Sequence, residues 1–508
     1  MSRLDNATTD GSSRPAPDVT GPGPALLAPA RLRVRPTHVA TAAAFGAAAW
    51  IATSPVNDLD SYWHVEIGRE IVARHTLDGL GVAWLGVPAG AWRSSQWLSE
   101  VLMYGAVDHF GWNALVALRL LTAAALFAVL ALTLVRGRQP VASFLVVLAV
   151  VVGTEVLLQD RPATVSLVFV ALLGAACERL WVTGLPPPPA LVAVACLVWA
   201  QLHGLWVLAP AAFVVVALGA LLDRRRATPG QLRGALVCAA ASLAGLVNPQ
   251  GAGSFLLPVR FQEAAGTHIV EWSPTTFTST LSISLGFLVI FLIVAWVRSP
   301  VRIPNSELLW SLVWTIFGLT AVRNVGPAIL LTAPVVLRAL ERSLGAGLDR
   351  FSARPSRAMS RLLAGALVAV LVVCVAACTV AVARTDPLRR TPGLAIARRL
   401  AADPGPIRVW NAYNVSGALI AFAGGREGHV RLVVDGRSDL WGGAYIDRNS
   451  GVLNLADDWG PGFDGFRPDA AVLPLGTPLL GYLLAVRHWR VALQDRAYAL
   501  LVPPGSSL

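Results

Sequence analysis

The 508-residue chain contains no lysine, so all 41 of its basic residues are arginine. Charge is scarce in general. Only 14% of the residues are charged, against about 25% in an ordinary soluble protein. Together with a 55% hydrophobic content and a mean hydropathy of +0.60, this excludes a soluble globular protein. The five cysteines (Cys177, Cys196, Cys238, Cys374 and Cys378) all lie inside apolar runs. They have neither metal-ligand spacing nor the pairing of a disulfide framework, and they read as small core residues. No Walker A, GxGxxG, HExxH or GxSxG motif is present, which removes support for ATP-driven transport and for those hydrolase classes. No internal repeat is visible. The net charge of +11 clusters beside apolar runs and does not argue for nucleic acid.

What is present is a series of apolar runs near the roughly 18 residues that signal a membrane span. We expect spans at roughly 38–54, 113–135, 141–158, 163–182, 189–202, 204–222, 232–247, 278–297, 307–322, 326–341 and 361–383. The chain therefore reads as a polytopic α-helical membrane protein with about 11 transmembrane helices. Residues 1–37 are rich in Pro, Gly, Ser and Thr and read as a disordered cytoplasmic tail. Arg31, Arg33 and Arg35 precede the first span. Arg136 and Arg138, Arg224–Arg226 and Arg233, Arg298 and Arg302, and Arg338, Arg342, Arg350, Arg354 and Arg357 follow on alternate sides of the series. The positive-inside rule places these ends, and the N-terminus, in the cytoplasm. Residues 38–384 form the membrane part, with a large first outer loop at 55–111. Residues 385–508 hold no run long enough to cross a membrane. They read as an extracytoplasmic α/β domain with strands at 407–412, 417–423, 431–435, 470–475 and 491–502 and helices at 393–402, 444–455 and 477–487.

Polar clusters collect on the predicted outer side. Asp58 and Asp60 leave the first span, followed by His64 and by apolar residues Trp63, Ile67 and Ile71 at helical spacing. This predicts an amphipathic helix lying along the membrane surface. Gln159-Asp160-Arg161-Pro162, Gln201-Leu202-His203-Gly204, Asn248-Pro249-Gln250, Glu271-Trp272 and Arg323-Asn324 fall on the same side, and Glu100 lies in the first outer loop. Their convergence is what a site at the membrane–water boundary would look like. A carboxylate there can take a proton from an acceptor hydroxyl or hold a divalent cation against a phosphate. The bland alternative for Asp58 and Asp60 is helix capping. Arg161 and Arg323 are candidate phosphate clamps, with a local pair to Asp160 as the alternative for Arg161. His64 and His203 are candidate ligands or phosphate donors, or simply structural hydrogen-bonders. Glu100 and Glu271 are further candidate acids or bases. Trp63, Trp92, Trp97, Trp206 and Trp272 fit an aromatic belt, although sugar rings also stack on indole. In the tail, Val434-Asp-Gly-Arg-Ser-Asp-Leu-Trp441 ends an apolar strand and reads as an Asp-Gly turn or a strand-end site.

The segment NDLDSYWHVEIGREIVARHTL resembles the first outer loop of bacterial membrane glycosyltransferases of the GT-C superfamily, in the group that includes dolichyl-phosphate-mannose-type and RgtA/B/C/D-like enzymes. SSQWLSEVL, QDRPATVSLVFVAL, WAQLHGLWVLAP, LVNPQG, IVEWSP, AVRNVGPAIL and RLVVDGRSDLWGG resemble an uncharacterised bacterial branch of it, so the similarity runs along most of residues 38–500. The resemblance implies a GT-C-like fold and transfer of a sugar from a polyprenyl-phosphate-linked donor to a cell-envelope glycan, lipid or protein at the outer face of the bacterial plasma membrane. It implies that Asp58 or Asp60 supplies the catalytic base or a metal-binding carboxylate, without deciding between them. His64, Glu100, Arg161, His203, Glu271, Arg323 and Asn324 are then the substrate-binding candidates. A divalent cation, Mg2+ or Mn2+, is the one cofactor it allows for, since relatives differ in metal dependence. The rivals are a transporter or flippase of lipid-linked substrates, and a non-enzymatic membrane scaffold.

Overall fold

The computed structural model describes residues 33–84, 92–223, 228–259, 262, 269–351, 355–456 and 458–508. Residues 1–32 of the expected tail, Arg224–Arg226 and Arg354 lie outside the described residues. All eleven expected spans are helices. Seven are long and apolar enough to cross a membrane by length and composition: 113–135, 140–157, 163–183, 204–222, 280–297, 322–348 and 357–384. Four are shorter: α1 (Pro36–Ile51), Pro189–Leu202, Pro229–Ser242 with its 3-10 extension Leu243–Leu246, and Asn305–Thr320. Pro188 and Pro189 open one of these helices, and the break at His203 closes it. Proline suits a first helical turn because its missing N–H would be unpaired there anyway. The bundle core is built from Val, Leu, Ala and Trp on facing helices, with Val325–Leu348 buried along most of its length. By contrast, no residue of Arg357–Arg384 is buried. It packs along α1 and turns its leucines and valines outward, as a lipid-facing helix would.

The first outer loop departs from expectation. α2 (Asp60–Arg74) is not a one-faced surface helix, because ten of its fifteen residues are buried. Its Tyr62 and Val65 face packs on Met103, Leu115 and Val116 from α3 (Trp97–Phe110) and the following span. Its Trp63, Ile67 and Ile71 face packs with Leu80, Trp84, Ile396 and Leu419 in the core of the C-terminal domain. Periodicity found the second face only, since a tyrosine and a valine do not make a stripe. α2 is thus a layer between the bundle and the C-terminal domain.

The C-terminal domain is a five-stranded sheet in the order β2-β1-β3-β5-β4. β1 is Ile407–Asn411, β2 Val430–Leu432, β3 Ala470–Pro474, β4 Arg490–Gln494 and β5 Tyr498–Val502. The first three in spatial order are parallel, and β5 and β4 complete an antiparallel edge. Alternate residues serve two cores. Val409, Val472 and Leu500 face α2, whereas Trp410, Ala471, Leu473 and Leu501 face Phe463, Leu479 and Leu483. The helices at 394–401, 443–453 and 478–485 fall where expected. Two expectations fail. Residues 417–423 form a helix, Ser416–Phe422, since a seven-residue apolar run buried all round carries no period that tells strand from helix. Residues 491–502 are two strands, because Asp495 Oδ1 accepts the N–H groups of Ala497 and Tyr498 (both 2.8 Å) and turns the chain.

Candidate active site

The loop between the spans ending at 157 and starting at 163 shapes the site. Asp160 Oδ2 accepts Asn57 N–H (3.1 Å) and Arg119 Nη1 (2.9 Å), and its carbonyl accepts the Ser61 hydroxyl (2.6 Å). Arg119 also donates to the carbonyls of Ala52 (2.8 Å) and Ser54. The Asp160–Arg119 pair is wholly buried. It clamps the end of the first span to the start of α2, so Asp160 is not the partner of Arg161. Arg161 instead bridges two carboxylates. Its Nε lies 2.7 Å from Asp58 Oδ2, and its guanidinium forks onto Glu271, with Nη1–Oε2 at 3.2 Å. Burial opposes that charge, but Asp58 and Glu271 hold the guanidinium above its ordinary pKa. Burial likewise pushes the Glu271 carboxyl up, and Arg161 outweighs it and holds it below the ordinary value.

Asp58 Oδ1 accepts the Asp60 N–H (2.9 Å), so the capping role and the ion pair coexist. Asp60 is held differently. Its Oδ1 accepts Trp63 Nε1–H (2.9 Å), and no arginine among the described residues lies within ion-pair distance. Burial, reinforced by the neighbouring Asp58 charge, raises its carboxyl to about 6. His64 Nδ1 is 2.9 Å from Glu100 Oε1, and Glu100 Oε2 accepts the Ser94 hydroxyl (2.6 Å). Glu100 is fully buried behind His64 and does not line the cavity, so it orients the imidazole. His203 Nδ1 accepts Leu205 N–H (3.3 Å) and lies 3.0 Å from the Ser166 hydroxyl. Burial, aided by the charges of Arg323, Arg161 and His64, lowers its pKa to about 3. It is therefore a neutral imidazole with its proton on Nε2. Arg323 lies over the Trp272 ring, 4.1 Å from the centroid, and has no hydrogen-bonded or ion-paired partner among the described residues. Asn324 Nδ2 donates to Thr320 Oγ1 (3.0 Å).

Asp58, Asp60, His64, Arg161, His203, Glu271, Arg323 and Asn324 line one cavity of about 1400 Å3. Its bundle wall is apolar, with Leu205, Val207, Leu208, Leu257 and Phe317. The C-terminal domain closes the other side. The segments that follow the parallel strands reach it: Tyr413 and Asn414 after β1, Gly436–Asp439 after β2, and Pro474 at the end of β3. Ligands in open α/β sheets bind at such carboxyl ends. Gly436 is obligatory here. A Cβ on it would sit 2.6 Å from Asp60 Oδ1 and overlap Trp63 Nε1. The strut behind it is Arg437, which donates to Asp435 (Nε 3.0 Å, Nη2 2.6 Å) and to the Leu80 carbonyl (2.7 Å), while Trp84 and Trp441 also donate to Asp435. The Val434–Trp441 motif is thus part of the cavity wall and its support. Tyr413, Asn414 and Asn449 carry no signal in the sequence, whereas Asp439 lies in the strand-end motif Val434–Trp441.

Two tryptophans of the expected aromatic belt are otherwise engaged. Trp97 donates to Gln201 Oε1 (2.9 Å), and Trp206 is buried against Gly245. Trp63, Trp92 and Trp272 line the cavity. Nor does the donor set match a divalent cation. Both oxygens of Asp58 and one of Asp60 are already taken, and the described residues hold no group of three carboxylate, imidazole or thiolate side chains suited to a metal.

The architecture is a polytopic helical bundle carrying a small C-terminal sheet domain. Among solved structures, the chain is similar to the archaeal oligosaccharyltransferase AglB from Archaeoglobus fulgidus, in complex with an inhibitory peptide and a dolichol-phosphate. The TM-score is 0.53 at 13% identity, covering 86% of this chain and 69% of that one. ArnT from Cupriavidus metallidurans bound to undecaprenyl phosphate gives a TM-score of 0.47 at 16% identity, covering 92% and 98%. No family model and no curated protein matches the sequence.

Proposed function

We propose that the protein is a membrane glycosyltransferase that moves a sugar from a polyprenyl-phosphate-linked donor to a hydroxyl of a cell-envelope glycan, lipid or protein. The observation that carries this reading is the placing, across one cavity, of a carboxylate and a guanidinium with no ion pair among the described residues, Asp60 and Arg323. The fold likeness to AglB supports it, as does the dolichol-phosphate in that complex. The polyprenyl chain lies along the apolar bundle wall. Its phosphate meets Arg323 and the neutral Nε2–H of His203. Asp60 takes the proton of the acceptor hydroxyl as that oxygen bonds to the sugar's anomeric carbon. The bond from that carbon to the phosphate oxygen breaks, and the released phosphate carries its charge toward Arg323. Asp58 and Glu271 hold Arg161 as a fixed positive centre beside Asp60, and Glu100 orients His64. No step is assigned to a divalent cation, because the donor set does not suit one.

The same reading supports a topology. The N-terminus, with the tail 1–37, is cytoplasmic, the eleven helices of 38–384 cross the bacterial plasma membrane, and 385–508 lies outside. The test is transfer from radiolabelled polyprenyl-phosphate sugars by purified protein, wild type beside Asp58→Asn and Asp60→Asn, with and without EDTA. We expect Asp60→Asn to abolish transfer, and EDTA to leave the wild type active. Full turnover by folded Asp60→Asn protein would remove the proposed base. Folded wild type inert toward every donor would remove the activity.

A further inference from the structure

We infer that the outer-domain wall of the cavity is a saccharide-binding subsite, so that the acceptor is a neutral glycan rather than a peptide or an anionic lipid headgroup. The inference deepens the glycosyltransferase reading and takes from it only which substrate occupies this wall. It rests first on Asn449. This residue sits on the helix Gly443–Leu453, is 7% exposed, and lines the cavity together with Ile446, Ser450 and Leu453 from the same helix face. Its carboxamide makes no hydrogen bond among the described residues, although buried polar groups are nearly always paired. The open direction for that amide is the cavity. An amide both donates and accepts, which matches a sugar hydroxyl, itself donor and acceptor.

The neighbouring groups have the same chemistry. Asp439 uses Oδ2 for Trp92 Nε1–H (2.8 Å) and keeps Oδ1 for a ligand donor. Trp92 is thereby pinned at the cavity wall, with Arg437 4.6 Å from its ring centroid. Tyr413 donates to the Gly436 carbonyl (2.6 Å), which leaves its oxygen able to accept. A fixed indole beside amide, hydroxyl and carboxylate groups suits an amphipathic sugar ring, whose C–H face stacks while its hydroxyls bond.

Charge and topology argue against the other acceptors. Among the described residues that line this wall the single cation is Arg437, and its donors are spent on Asp435 and the Leu80 carbonyl. An anionic headgroup would meet Asp439 with no cation to offset it. An extended peptide would look for a strand edge, as in strand addition. The β2 edge is already engaged by the loop, since Leu432 N–H donates to the Trp84 carbonyl (2.7 Å), and the other edge strand, β4, contributes no residue to the cavity.

The test uses full-length protein in lipid nanodiscs and saturation-transfer NMR. The probes are neutral disaccharide methyl glycosides, a uronic-acid disaccharide, and a capped neutral tetrapeptide. We expect the neutral disaccharides to bind and the other two to bind more weakly. Asn449→Ala should weaken disaccharide binding by roughly 3- to 10-fold, the usual worth of a lost neutral hydrogen bond. Asp439→Asn should weaken it by a similar or larger factor. Because Asn449 has no hydrogen-bond partner among the described residues, Asn449→Ala should fold as wild type does, and circular dichroism melting checks this. Preferred binding of the uronate or the peptide would overturn the inference, as would disaccharide binding indifferent to both substitutions. Polyprenyl-phosphate retention by the same discs is read separately. If retention fails while disaccharide binding follows Asn449, the subsite stands and the lipid-donor reading falls.

Discussion

The two ends of the helical bundle use the same residue types for opposite ends. Ala163–Thr183 starts at the cavity and carries Glu178 about 22 Å further along its axis. There Glu178 meets Arg338 (3.0 Å), Glu341 meets Arg138 (3.0 Å), and Glu307 takes a two-pronged contact from Arg342 (2.8 and 2.9 Å) and the Trp296 N–H (2.8 Å). Each glutamate has its arginine, and the nearby cavity is only about 170 Å3. At the other end Asp160–Arg119 and Asp58–Arg161–Glu271 are matched in the same way. Asp60 and Arg323 have no ion pair among the described residues, and they face about 1400 Å3 of space. A matched network locks helices together. Unmatched charge in a partly buried site carries a free-energy cost that packing alone does not justify, and it marks a place kept ready for a ligand.

Four measurements would break or sharpen this contrast. The largest expected effect is at Asp60. Asp60→Asn should lower transfer by about 10^2- to 10^4-fold, the range for loss of a general base. It should also melt no lower than wild type. The raised carboxyl pKa means that the fold disfavours the ionised form, and asparagine removes that cost while keeping the bond from Trp63. A clear drop in melting temperature would make Asp60 a structural residue like those at the Glu178–Glu307 end. Second, Glu307→Ala should show the reverse signature. It strands Arg342 and should cost about 3 kcal/mol of stability, with transfer per folded molecule close to wild type. Denaturant melts beside specific activity decide it.

Third, Arg323→Ala should leave stability nearly unchanged but weaken polyprenyl-phosphate binding by roughly 10- to 100-fold, the worth of charged hydrogen bonds. Unchanged lipid-phosphate affinity would show that the arginine serves only Trp272. The smallest effect is in pH. A base whose carboxyl titrates near 6 is mostly ionised at pH 7 and mostly protonated at pH 5. Transfer should therefore fall about tenfold as pH drops across that window. A profile flat down to pH 5 would mean that Asp60 keeps an ordinary carboxylate pKa, or that it is not the base.

Much of the architecture was legible in the sequence. The eleven apolar runs became eleven helices, because an apolar backbone segment in lipid must satisfy its own hydrogen bonds. The polar breaks between them delivered eight of the nine candidate residues to one cavity, since chain reversals fall at membrane boundaries. Partners were less legible. Arg161 looked adjacent to Asp160 in sequence, yet the turn before Pro162 sends the two side chains to different neighbours. Glu100 looked like a free acid and proved to stand behind His64. The helix Ser416–Phe422 was mistaken for a strand because its burial on every side erased its period.

The sequence by itself determined the class of molecule, the placing of its helices, and the acidic loop that leaves the first one. These follow from local hydropathy and from the sign of nearby charge, which each segment carries alone. Only the tertiary structure decided which carboxylate is neutralised and which is left open. It alone brought Gly436 and Asp439 of the last domain against the Asp60 loop, and Asn449 into the same cavity. Pairing and desolvation depend on residues hundreds of positions apart, and no local pattern records them.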